Sequence, residues 1–253
     1  MTTDTARGFT IIEVMLFLAI TGALFAALMI GVNTGVTQQR YLDSVRSYKA
    51  LLQNEYSEVV NTRNEDIEDW KCSGEDGVKQ EGSRLPPRGT SRCVILGRAI
   101  QITGEGQKIT TSSVTGYDTN GTDDDQGDIA AIKGYSPKLG GFDERSTELD
   151  WSTHLTPVPP RTGNPVSTAL ILILRSPSSG LIRVFTSPSS LGNTTDLSPL
   201  IDQANASEAA IVKNCIIGDS GLLPKQMISL DPRIASPDAV TTDGGENTEC
   251  QGQ

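Results

Sequence analysis

The sequence predicts an α+β fold: a long N-terminal helix, its first half transmembrane, packed on an antiparallel β-sheet head. Three observations predict it. The stretch from Val14 to Gln39 holds no charged residue and is dominated to Val32 by Leu, Ile, Val, Phe, Met and Ala, and about 20 such residues cross a bilayer as helix. Beyond it, Tyr41, Val45, Tyr48, Leu52, Tyr56 and Val59 recur at spacings of three and four, the signature of a helix burying one face. Every later apolar run is short, and Gly and Pro punctuate the chain between them, as between strands.

The helix is expected from Thr10 to about Asn61, on the order of 80 Å at 1.5 Å per residue. Residues 9–33 form its membrane half and 34–64 its amphipathic continuation, with the head at 65–253. Within the head, 73–92 reads as a loop, CVILGRAIQIT (93–103) as a strand, and 167–187 as a hairpin turning at Pro177-Ser178-Ser179-Gly180. AAIVKNCII (209–217) and QMISL (226–230) read as further strands. Between strand 93–103 and the hairpin, 104–166 reads as an insertion with short extra strands, IAAIKGY among them.

The 253 residues carry a formal charge of −10, with the acidic run TDDDQGD at 122–128. That charge disfavours nonspecific binding of nucleic acid, except through a local basic patch. The four cysteines, Cys72, Cys93, Cys215 and Cys250, all follow the apolar helix. An even count in an exported domain suggests two disulfides. Three pairings are open, of which Cys72–Cys93 and Cys215–Cys250 are favoured because each closes a turn-rich segment. A zinc site is the weaker rival, since there is no CxxC spacing and His154 is the only histidine.

The apolar segment carries one carboxylate near its start, Glu13. Acidic residues in membrane helices are costly at the centre and less so at the interface. Read from physics alone, Glu13 marks either the headgroup boundary or a function. No small-x-small cleavage site follows the apolar core, so a retained anchor is expected rather than a removed secretory signal. Arg40, Arg46 and Lys49 follow the apolar segment whereas Arg7 precedes it. Charge counting alone would therefore leave the C-terminal part inside; the cysteines argue for outside.

RGFTIIEVMLFLAITGAL, residues 7–24, resembles the prepilin signature of type IV pilins and pseudopilins: a short leader ending in Gly, then Phe, then Glu at the fifth mature position, then an apolar helix. The resemblance implies a leader at residues 1–8, cleavage between Gly8 and Phe9 by a prepilin peptidase, and methylation of the Phe9 amine. Glu13 would meet the N-terminal amine of a neighbouring subunit, a buried pair that sets register. It implies a pilin-like lollipop, held in the cytoplasmic membrane by a single pass with the head outside, then assembled with other pilin subunits by a platform and ATPase into an extracellular filament. One departure is that the membrane helix has no proline. Gly22 is where helix loosening would begin, with close helix packing as the alternative reason for glycine there. The large acidic head favours a minor pilin; a pseudopilin of a type II secretion or DNA-uptake machine is the rival.

No catalytic signature is present: GxSxG, HExxH, P-loop and dinucleotide patterns are absent, and His154 lacks a sequence partner. The chain is therefore expected not to be an enzyme, and no cofactor is expected beyond calcium. The candidate calcium loop is YDTNGTDDDQGD, with Asp118, Asn120, Asp123, Asp125 and Asp128 as oxygen ligands. It lacks the EF-hand closing Glu, and a solvated acidic loop is the plain reading. A non-polymerising, membrane-tethered calcium-binding adhesin is the function from another class that this loop would support.

Overall fold

In the computed structural model the described residues are 10–61, 70–73, 77–80, 93–117, 127–140, 143–157, 170–187, 196–203, 211–218, 225–231, 233–234, 236–243 and 250, the side chains of 70–73, 77–80 and 93 excepted. They form long helix α1 (Ile11–Val60), short helices α2 (Asp128–Gly134) and α3 (Ser198–Gln203), and antiparallel strands. The chain divides into two compact units, Met1–Asp43 and Ser44–Gln253, with the boundary inside α1.

In the first unit α1 is apolar and exposed. Its side chains from Ile11 to Val32 include Ile11 at 79%, Phe17 at 66% and Leu28 at 66% exposure. It is the one helix among the described residues long and apolar enough to cross a membrane. Its threonines do not spoil that surface: Thr21 donates to Phe17 O at 2.8 Å and Thr34 to Ile30 O at 2.6 Å. A hydroxyl satisfied by its own helix costs little in an apolar medium.

Among the described residues the second unit holds three antiparallel sheets. Strands β1 (Trp70–Ser73) and β2 (Gly77–Gln80) pair only with each other among the described residues, so the expected loop 73–92 contains a strand. The largest sheet takes β3 (Cys93–Thr103), β4 (Lys108–Tyr117), β5 (Lys138–Leu139), β6 (Arg145–Glu148), β8 (Leu170–Arg175) and β9 (Ile182–Ser187). Its order is β5-β4-β3-β8-β9, with β6 on β4 beside β5. The smaller sheet, β12-β11-β10-β7, uses β7 (His154–Pro157), β10 (Val212–Ile217), β11 (Gln226–Leu230) and β12 (Val240–Asp243).

β8, LILILR, is apolar at consecutive positions because both its faces are covered. Leu170, Leu172 and Leu174 pack with Phe185, Val114, Ile132 of α2 and Ile201 of α3. The alternate residues, Ile171 and Ile173, are equally buried on the face where Arg98 and Glu55 of α1 meet. The expected hairpin is there, with Gly180 at φ 74 closing the turn.

The segment 104–166, expected as an insertion with short extra strands, supplies the short strands β5, β6 and β7 and also one long strand, β4. β4 comes from it and lies inside the main sheet, flanked by β3 on one side and β5 and β6 on the other. KITTSSVTGY is rich in hydroxyls, yet Thr111, Ser112, Ser113 and Thr115 are buried. IAAIKGY, expected as a strand, lies almost wholly in α2, whose Ala131 and Ile132 face the core.

The β3–β4 turn joins the two larger sheets. Gly106, at φ 88, accepts the Leu155 N–H at 3.0 Å, and a Cβ on it would stand 2.2 Å from Leu155 O. Gly106→Ala is expected to cost about 1–3 kcal/mol, through the left-handed backbone and the forced separation of β7. Urea denaturation checks this; an unchanged midpoint would show that the turn relaxes freely.

Candidate functional site

The first turn of α1 explains part of Glu13. Thr10 precedes the helix, and its Oγ1 accepts the Glu13 N–H at 3.3 Å. Thr10 and Glu13 thus hold the first and last positions of a capping-box spacing, where a carboxylate also favours the helix dipole. No charged residue follows until Arg40, so this carboxylate heads an apolar, exposed surface. Gly22, Gly31 and Gly35 have open space where a Cβ would project; no contact among the described residues requires glycine there. Gly8 and Phe9 lie outside the described residues.

From Ser44 onward α1 changes character, and its inward face is keyed to the head by polar contacts. Ser44 Oγ and Thr153 Oγ1 are 2.5 Å apart, Asn214 Nδ2 of β10 donates to Tyr48 Oη at 3.1 Å, and Tyr56 Oη donates to Ile234 O at 2.5 Å. Burial raises the Tyr48 phenol well above its ordinary range, an effect partly offset by Asn214. Burial likewise raises Tyr56, with nearby Asp231 adding to it. Val45, Leu52 and Val59 fill the spaces between.

The strongest cluster in the unit is one that sequence reading missed. Arg98, in mid-strand β3, is 3% exposed. Its Nε donates to Glu55 at 2.5 Å and lies 3.3 Å from Glu58. Its Nη1 donates to Ser113 Oγ at 2.7 Å and to Asp143. Asp143 also accepts the Ser113 N–H at 2.8 Å, and Arg145 Nη1 reaches Glu58 at 3.1 Å. Burial alone would lower the Arg98 pKa, but Glu55 first, then Asp143 and Glu58, raise it overall. Nη2 is buried without a hydrogen-bond partner among the described residues. The available signal was an Arg within an apolar run and a Glu at position 55, on the stripe between Leu52 and Val59.

Cys215 and Cys250 form a disulfide, both buried beside Met227. The favoured partner pairing, Cys72–Cys93, falls on side chains outside the described residues. So do the loop positions Asp118, Asn120, Asp123 and Asp125. Asp128 is described, as the first residue of α2. Its Oδ1 accepts from Ser179 Oγ at 2.5 Å and its Oδ2 from Arg183 Nη2 at 2.7 Å. These partners, Ser179 foremost, hold its carboxyl below the ordinary 3.8. Both oxygens are therefore engaged within the protein. His154 begins β7 opposite Ile217. Among the described residues no group of three His, Cys, Asp or Glu is arranged to hold a metal.

No family model matches this chain, and neither does a curated protein or a solved structure.

Proposed function

We propose that this chain is a structural subunit of a type IV pilus or pilus-like filament, with the role of a minor pilin. A prepilin peptidase removes residues 1–8 and the new Phe9 amine is methylated. The membrane holds the subunit by α1 with the disulfide-bearing head outside, and the assembly platform and its ATPase then pack α1 against other subunits. The observation that carries this reading is the apolar surface of α1, wholly exposed in the chain by itself and headed by Glu13. So large an apolar area needs a cover of lipid or of other helices. A carboxylate at its head is suited to a partner with an amine, and cleavage at Gly8 would create one.

Glu13→Ala is expected to leave cleavage largely intact and to lower filament yield at least about tenfold, since the register pair would be lost. Immunoblots of the membrane fraction and of sheared surface filaments read the two effects separately. Wild-type filament yield would refute the role given to Glu13. Loss of cleavage would move that role to peptidase recognition.

A further inference from the structure

The β6–β7 turn displays a tryptophan on a backbone that does not suit one. Residues Asp150, Trp151, Ser152 and Thr153 form a tight turn, closed by the Thr153 N–H donating to Asp150 O at 3.3 Å. Its two central residues are left-handed, Trp151 at φ 62 and Ser152 at φ 56. Such positions favour Asn and Gly, because a Cβ is strained there and a bulky side chain more so. Trp151 nevertheless holds its place with 52% of its surface exposed, so core packing is a poor reason for it. Left-handed residues other than glycine concentrate where a side chain is put to use.

The turn stands at the end of the head where α1 enters it. β6 begins beside Glu58 of α1, which Arg145 Nη1 reaches at 3.1 Å. The turn ends beside Ser44, whose Oγ lies 2.5 Å from Thr153 Oγ1. Between these contacts β6 and its turn run back along α1 toward the N-terminal end of the helix. β7 then leaves that end again: Asn214, opposite Pro157, donates to Tyr48. The Thr153 hydroxyl also donates to Asp150 O at 2.8 Å, so both ends of the turn are tied to Ser44. All these contacts lie within the Ser44–Gln253 unit.

Along the chain Ser44 follows closely on the apolar segment. Arg40, the first charge after that segment, precedes Ser44 by four residues of α1, about 6 Å of helix. The headgroup layer on each side of a bilayer is roughly 5–8 Å thick. Tryptophan is enriched in that layer because its ring has an apolar body and a polar N–H. A turn fastened to Ser44 is within reach of it.

We infer that Trp151 is an interfacial anchor, which seats the β6–β7 turn in the headgroup layer of the bilayer that α1 crosses. The partner is a zwitterionic lipid surface rather than a second copy of the chain. The connection to the apolar segment is short, and the exposed Arg40, Arg46 and Asp150 suit the phosphate and the ammonium of such headgroups. This inference rests on the reading of α1 as a membrane anchor and is independent of filament assembly.

Trp70 is the only other tryptophan, so Trp70→Phe makes Trp151 the sole reporter in the full-length chain. The variant is placed in phosphatidylcholine vesicles with and without lipid carrying a nitroxide on its headgroup. The headgroup nitroxide is expected to lower Trp151 emission about twofold, and a nitroxide at the bilayer centre to lower it less. Flotation of the same vesicles reports separately on α1. Protein that floats while Trp151 escapes the headgroup nitroxide overturns the anchor and leaves the membrane reading of α1 standing; a ring shielded from water only by other copies gives this result. Protein that does not float overturns both. If Trp70→Phe does not accumulate, the difference in emission between the wild type and Trp151→Phe is read in the same vesicles, with the same outcomes.

Discussion

Arg98→Met is expected to destabilise the Ser44–Gln253 unit by about 3–5 kcal/mol. The substitution removes the guanidinium while roughly preserving the bulk of its stem, so a packing void is not the main loss. It leaves Glu55, 3% exposed, without the guanidinium that now lies 2.5 Å from it, and withdraws a hydrogen bond from both Ser113 and Asp143. Adding Glu55→Leu is expected to recover most of the loss, because removing both members of a buried pair also removes the cost of desolvating them. Denaturation of the single and double variants measures both effects. A single-variant loss below about 1 kcal/mol would mean that water reaches the cluster.

The second large effect is expected at the disulfide. Cys215 lies in β10, between β11 and β7 of the smaller sheet, and its partner Cys250 is fully buried. The sequence separation of 35 gives a chain-entropy stabilisation of about 4 kcal/mol at room temperature. Cys215→Ala/Cys250→Ala is therefore expected to lower unfolding free energy by about that amount. The effect should vanish when the wild type is compared under fully reducing conditions. A double variant as stable as the oxidised wild type would show that the unfolded chain gains little freedom when the link is lost.

Much of the fold was legible where a single physical signal dominated. α1 was expected from Thr10 to about Asn61 and runs Ile11–Val60, because uninterrupted apolar residues pass directly into a three-four stripe. β3 and β11 fall on the expected 93–103 and 226–230, and the β8–β9 hairpin follows from two apolar runs about a Pro-to-Gly turn. β4 was illegible because its buried side chains are largely hydroxyls. A serine such as Ser113 enters a core only when Arg98 and Asp143 satisfy it, and that is a tertiary fact. α2 was misread for a related reason: seven residues cannot distinguish the helical period from a short strand.

The candidate site divides along the same line. Glu13 was visible as a charge out of place, and its capping geometry adds a local cause that accompanies the proposed intersubunit one. Arg98 and Glu55 were not visible as a pair, being separated by 43 residues and each plausible alone on a surface. Asp128 was grouped with its neighbours in the acidic run, but its bonds run to Ser179 and Arg183 across the β8–β9 turn.

The central claim is that this chain becomes an assembly subunit only after losing its first eight residues, which gives Glu13 its partner. Mass spectrometry of the mature N-terminus, on protein recovered from the native membrane, tests it most directly. The account predicts a chain that begins at Phe9 and carries one extra methyl on its amine. An intact chain beginning at Met1, or one cut beyond the apolar segment of α1, would contradict it.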